Sequence, residues 1–275
     1  MRYPILISCL VSLSACVSLE QLPPGAAGAP SVDPSIRGAQ TFPDIDPGGT
    51  SISSLHFTLK GYSEADIRPV SVMAENLYLK IGNDTGLYSF LASGNYTIVV
   101  YRDRQEYLKK TQQPEWSRAV ASGGSIYLYP GSDVEPVLAH EMTHLIFNSY
   151  MQDKAVSYRW INEGLAMYEE FSLWPQSARD EFRSLATEQL RNKRMAFSQM
   201  TFFVPATEER RKVDVWYQQV KSVTEFMLAQ GSALNFANML NAIKGGSDID
   251  MAIANNYPGK FRTLNEVEAA WKYTI

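Results

Sequence analysis

Two kinds of periodicity divide the chain near residue 132. Ahead of that point three stretches read as strands: "SISSLHFTLK" (51–60) alternates weakly, "NYTIVVYRD" (95–103) is rich in β-branched and aromatic residues, and "GSIYLYP" (124–130) alternates cleanly and stops at Pro130-Gly131. A helix around 69–82 separates the first two, and "RQEYLKKT" forms another after the second. From 132 onward the apolar spacing is helical. Ser132 or Asp133 can cap the first of these helices, Ser132 with Glu135 matching a capping box, and Pro136 falls in its first turn. Further helices are expected at 160–172, 177–194, 209–229, 231–243, stopped by Gly245-Gly246, and 264–273, opened by a second capping-box pattern from Thr263 to Glu266. Strands first and helices after predict an α+β fold, a small N-terminal mixed sheet followed by a mainly helical part.

Residues 17–50 break this order. They carry eleven Pro or Gly and almost no apolar periodicity, so they read as a flexible tether, with the folded part starting near residue 51. Ahead of the tether, Arg2 precedes an apolar run, "YPILISCLVSLSA", that is too short to span a bilayer. The run ends in Leu13-Ser14-Ala15-Cys16, which resembles the bacterial lipobox, whose cysteine is acylated and becomes the new N-terminus. The resemblance implies a signal peptide over 1–15, a lipid-anchored tether over 16–50 and a folded domain over 51–275. It also implies anchorage in a bacterial cell envelope through Cys16. Val17 stands where the inner-membrane retention signal has Asp, which favours the outer membrane, facing the periplasm, in a Gram-negative source. Cys9 lies in the removed part, so the mature chain has neither a disulfide nor a thiol nucleophile.

The 275 residues are 45% hydrophobic and 20% charged with a formal net charge of -4. That is an ordinary globular balance, and without a basic stretch interleaved with aromatics it disfavours nucleic acid as a partner.

Two of the three histidines sit in "LAHEMTHLIF" (138–147). His140 and His144 are one turn apart on a helix, so both imidazoles can face one ion, and Glu141 sits about 100° around, placed to reach a water beside it. This is the H-E-x-x-H pattern of a zinc site with Glu as general base. A buried helix with two hydrogen-bonded histidines is the plain alternative, but it leaves Glu141 unexplained among apolar neighbours. A catalytic zinc takes three protein ligands. His56 is far upstream, so the third is expected to be a carboxylate, and "RWINEGLAMYEE" (159–170) offers Glu163, Glu169 and Glu170.

His140-Glu141-Met142-Thr143-His144, followed after eighteen residues by Asn162-Glu163-Gly164-Leu165-Ala166, resembles the gluzincin metallopeptidases, the thermolysin-like and aminopeptidase N-like group. The resemblance implies a zincin-like fold, one catalytic zinc held by His140, His144 and Glu163, and Glu141 as base, with a peptide or protein as substrate. Glu169 and Glu170 then read as a solvated helix end. "GSIYLYP" stands where these enzymes have a sheet-edge strand that pairs with extended substrate, although it also fits an ordinary sheet strand. The segment from 213 to 243 resembles the C-terminal helices of compact bacterial MA-like peptidases, in which a Tyr opening such a helix bonds the oxyanion. That Tyr corresponds to Tyr217, which also fits a core stripe with Val213, Val220, Thr224 and Met227.

Two features depart from the family. The G-x-M-E-N segment that binds a substrate amino end is absent, "VMAEN" (72–76) being out of register, which disfavours amino-end trimming. Met167 stands where thermolysin-like enzymes have the Asp that supports a zinc histidine, so the outer partners must come from elsewhere. The expected function is a membrane-anchored zinc peptidase in which Glu141 activates water. The alternatives are a zinc-binding, non-proteolytic envelope protein acting in binding or assembly, and a lipoprotein with no metal.

Overall fold

The computed structural model describes residues 41–88 and 95–275. The lipobox-like segment at Cys16 and most of the tether lie outside the described residues. Within them the α+β order holds. The strands β1 (Thr50–Ser53), β2 (Phe57–Gly61), β3 (Tyr96–Val100), β4 (Ala119–Ser122) and β5 (Ser125–Leu128) form one mixed sheet in the order β1-β2-β3-β5-β4. β2, β3 and β5 run parallel, and the two outer strands are antiparallel to their neighbours.

The two faces of the sheet bury different layers. One face, with Phe57, Leu59, Ile98, Ile126 and Leu128, packs into the main core against α1 (Glu64–Thr85) and α3 (Val134–Met151). The other face, with Val99, Tyr101, Val120, Tyr127 and Tyr129, is covered by Tyr107 of α2 (Arg104–Thr111) and by Phe42. Alternating apolar residues on both faces of strands only four or five residues long explain why the sheet needs a cover on each side. The cover from Phe42 corrects the expected start of folding. Phe42 N–H donates to the Tyr127 hydroxyl at 3.2 Å and the Pro43 carbonyl accepts from the Tyr101 hydroxyl at 2.5 Å, so ordered packing begins ahead of residue 51.

Several elements differ from the periodicity. The stretch 51–60 is a hairpin, not one strand. Its turn is fixed by Glu75 of α1, whose Oε1 accepts from the Ser54 hydroxyl at 2.6 Å and the His56 N–H at 2.8 Å while Oε2 lies 2.7 Å from His56 Nδ1. β4, not foreseen, is joined to β5 by Gly123-Gly124, both left-handed (φ 59° and 78°) in the two-residue turn that glycine pairs favour. The Ser132–Glu135 capping box does not form: Asp133 occupies the cap without a side-chain cap bond and instead pairs with Arg118. The helices beyond are α4 (Arg159–Ser172), α5 (Gln176–Lys193), α6 (Phe197–Met200), α7 (Arg210–Gln230), α8 (Ala233–Lys244), α9 (Ile249–Asn256) and α10 (Leu264–Trp271). Of these α6 and α9 are short additions to the expected set. The Thr263 cap on α10 is present, its side chain accepting from Glu266 N–H. Among the described residues no helix is long and apolar enough to cross a membrane.

α4 is buried along almost its whole length, wedged between α3 and α7. Gly164 is what allows the approach on the α7 side, because a Cβ there would lie 2.2 Å from Thr224 Oγ1 and 2.6 Å from the Val220 carbonyl oxygen. Gly164→Ala is therefore expected to destabilise the protein by about 1–3 kcal/mol through overpacking. Urea unfolding of the two proteins checks this, and an unchanged midpoint would show that the helices are not in close contact here.

Candidate metal centre

One turn apart on α3, His140 and His144 present their rings to the same side. His140 and His144 stand nearly perpendicular (84°), ring centroids 4.7 Å apart, with their Nε2 atoms separated by 3.1 Å. The far ring nitrogens set the proton positions. His140 Nδ1 lies 2.9 Å from Glu170 Oε2, and His144 Nδ1 lies 2.9 Å from Asn162 Oδ1. Asn162 is oriented by its own amide, whose Nδ2 donates to Asn148 Oδ1 at 3.1 Å. With an acceptor oxygen facing each Nδ1, a proton held there would leave each Nε2 lone pair for an ion at the shared centre.

Glu163 Oε2 joins them, 3.6 Å from His144 Nε2. All three side chains are buried, and one donor atom from each lies within 4.8 Å of the others. Four ligands about 2.1 Å from a tetrahedral zinc stand roughly 3.4 Å apart. The separations of 3.1 and 3.6 Å bracket that value and the third pair lies within 4.8 Å, so these three donors can converge on one small ion. Among the described residues it is the one such group of His, Cys, Asp or Glu side chains.

α4 supplies both the carboxylate and the outer partners. Asn162 and Glu163 are consecutive, so about 100° of helix rotation lets one reach His144 from outside and the other face the centre. Glu170 follows Glu163 by seven residues, two helical turns, and so returns to the same face, where it holds His140. Glu169 and Glu170 are both buried, which overturns the solvated helix end expected for them. The support expected four residues after Glu163, where Met167 stands, comes from Glu170 instead.

Glu169 points toward α1, where its Oε2 pairs with Lys80 Nζ at 2.6 Å. Burial pushes its carboxyl up to about 6, against the opposing pull of Lys80. Between an unfolded value of 4.5 and about 6, the folded chain therefore holds a proton on Glu169 that the unfolded chain has lost. The contribution of Glu169 to stability should fall by about 2 kcal/mol as pH rises from 4.5 through 6. Unfolding of wild type and Glu169→Gln in chelator across that window isolates the effect: the difference between them should slope, and a flat difference contradicts the raised carboxyl.

Glu141 is half-buried beside the histidines, and its Oε2 accepts from the Ala121 N–H at 2.7 Å. The strand next to it is β4, and this corrects the placing of the sheet edge. "GSIYLYP" contains β5, paired on both sides by β3 and β4, while β4 is the outermost strand. The edge was displaced by one strand because the short hairpin folds back over β5. Tyr217 lies two turns inside α7 rather than at its opening, half-buried and edge-on to Trp216 with centroids 5.1 Å apart. Val220 and Thr224, one and two turns further on, are the residues that meet Gly164. His56 is held at the first hairpin by Glu75 and stacks on Tyr78, apart from the converging group. "VMAEN" (72–76) is helical, within α1.

No family model matches the chain, and no curated protein sequence matches it. Among solved structures, native yeast LTA4 hydrolase is similar with a TM-score of 0.49 at 14% sequence identity. The similarity covers 82% of this chain, which spans 38% of the length of that protein.

Proposed function

We propose that this protein is a zinc-dependent peptidase of gluzincin type. The observation that carries the reading is the buried convergence of the His140 and His144 Nε2 atoms and a Glu163 carboxylate oxygen, all within 4.8 Å of one another. His140, His144 and Glu163 would hold the ion. When bound, zinc supplies Lewis acidity at the scissile carbonyl and makes water acidic enough to lose a proton near neutral pH.

The chain's own groups carry the remaining steps. Glu170 and Asn162 keep the Nδ1 protons in place, which fixes the ring orientation and the basicity of both imidazoles. Glu141 accepts the proton of the attacking water and delivers it to the leaving amine. Tyr217 donates a hydrogen bond to the developing oxyanion, a role worth about 3–4 kcal/mol for one preorganised donor. β4, the outermost strand, offers its open edge to an extended peptide by strand addition. Acylation at Cys16 anchors the domain to the bacterial envelope, with the outer membrane facing the periplasm as its site in a Gram-negative cell.

The test is metal analysis joined to cleavage of a peptide library. Zinc-replete protein should carry one equivalent of zinc and cleave library peptides internally. Chelation should abolish cleavage, and added zinc should restore it. Protein without stoichiometric zinc after metal-replete expression would end this reading.

A further inference from the structure

We propose that Ala121 is a positioning residue for the general base, acting through its backbone N–H and resting on the peptidase reading above. The hairpin register is the starting point. Gly123-Gly124 makes Ser122 and Ser125 the pair flanking a two-residue turn, and pairs along an antiparallel ladder alternate between bonded and non-bonded. Ser122 and Val120 therefore turn their backbone groups toward β5, while Ala121 and Ala119 turn theirs outward. β4 is the last strand of the sheet, so an outward N–H on it faces solvent or an incoming strand unless something else accepts it. At Ala121 the acceptor is Glu141 Oε2, at 2.7 Å, the short end of the range for a bond to a charged oxygen.

The consequence is a physical link between two parts of the site. The strand edge that would align an extended peptide also fixes one oxygen of the carboxylate that moves the proton. The Ala121 carbonyl points to the same open side, so a peptide paired there is aligned against the residue that holds the base. Without this bond Glu141 would be a carboxylate on rotatable methylenes, and small misplacement of a reacting group is costly, on the order of 100-fold for about 1 Å. The Ala121 side chain takes no part in the bond. It packs into the main core on the α3 side, so its small size keeps β4 close enough for the N–H to reach.

Ala121→Pro deletes the N–H, and proline fits an edge strand where that group points away from the ladder. The zinc-loaded variant should keep one equivalent of metal and a KM within about threefold of wild type, while kcat falls about 10–100-fold, the loss expected for one hydrogen bond to a charged group. Ala121→Gly, which retains the N–H, should restore kcat to within about threefold of wild type on the same reasoning. An unchanged kcat for Ala121→Pro, or a loss confined to KM, overturns the proposal. Amide hydrogen exchange gives a readout that needs neither activity nor the proline variant. The Ala121 amide of zinc-loaded wild type should be protected, and Glu141→Ala should release it; equal exchange in the two overturns the proposal. Wild type that binds zinc but cleaves no peptide would instead remove the peptidase reading, leaving exchange to decide whether the strand holds the carboxylate.

Discussion

Glu141→Gln is expected to reduce peptide hydrolysis by about 1,000-fold or more while the protein keeps one equivalent of zinc. The size follows from removing a general acid–base group, typically worth about 100- to 10,000-fold, and 1,000-fold corresponds to about 4 kcal/mol of barrier. Retention of metal follows from the geometry. The converging atoms belong to His140, His144 and Glu163, whereas Glu141 is engaged by β4. Glutamine preserves size and can still accept from the Ala121 N–H through its amide oxygen, so the variant changes basicity and little else. Steady-state cleavage with parallel metal analysis checks both halves. Hydrolysis persisting within about tenfold would show that proton transfer does not pass through Glu141. Envelope function that survives the substitution would favour the non-proteolytic, zinc-binding alternative.

How much of this site was legible in the sequence depends on whether a residue's place is set by helix geometry alone. His140, Glu141 and His144 were legible because a four-residue spacing fixes them on adjacent turns of one helix whatever surrounds it. Glu163 followed from the second motif, and the same motif contains Asn162, whose contact with His144 was not foreseen. Glu170 was misread because two charged residues at a helix end resemble a solvated terminus. α4 is instead enclosed by α3 and α7, with Lys80 of α1 reaching Glu169. The available signal was its seven-residue distance from Glu163, which returns a side chain to the same face after two turns.

The sheet was harder for a different reason. "AVAS" (119–122) is short and built of small residues, so its strand propensity is weak, and only the Gly123-Gly124 pair marked a hairpin. Missing β4 moved the expected edge onto β5, and with it the residue that touches Glu141. Phe42 shows the same dependence on partners: within a proline-rich stretch it has no periodic neighbours, and only the aromatic face formed by Tyr101 and Tyr127 gives it a place to bury. Local pattern thus located the three converging donors, while strand order and long-range burial located the groups that orient them.

His144→Ala removes one lone pair from the converging set and should abolish stoichiometric zinc binding, because two protein ligands remain where a catalytic site uses three. Substitution of a buried side chain also costs packing, so a fall in stability by itself proves nothing about metal. The informative quantity is the response of each protein to zinc. A ligand present at 1,000 times its dissociation constant stabilises the folded state by about 4 kcal/mol. In a domain of this size about 1 kcal/mol shifts Tm by roughly 2–4 °C. Wild type should therefore melt on the order of 10 °C higher with zinc than with chelator, and His144→Ala should show no such difference. Peptide cleavage should vanish with it. A wild type whose Tm ignores zinc, or a variant that still responds in full, would mean that the two imidazoles and Glu163 meet for a structural reason, as hydrogen-bonded polar groups inside a helical core.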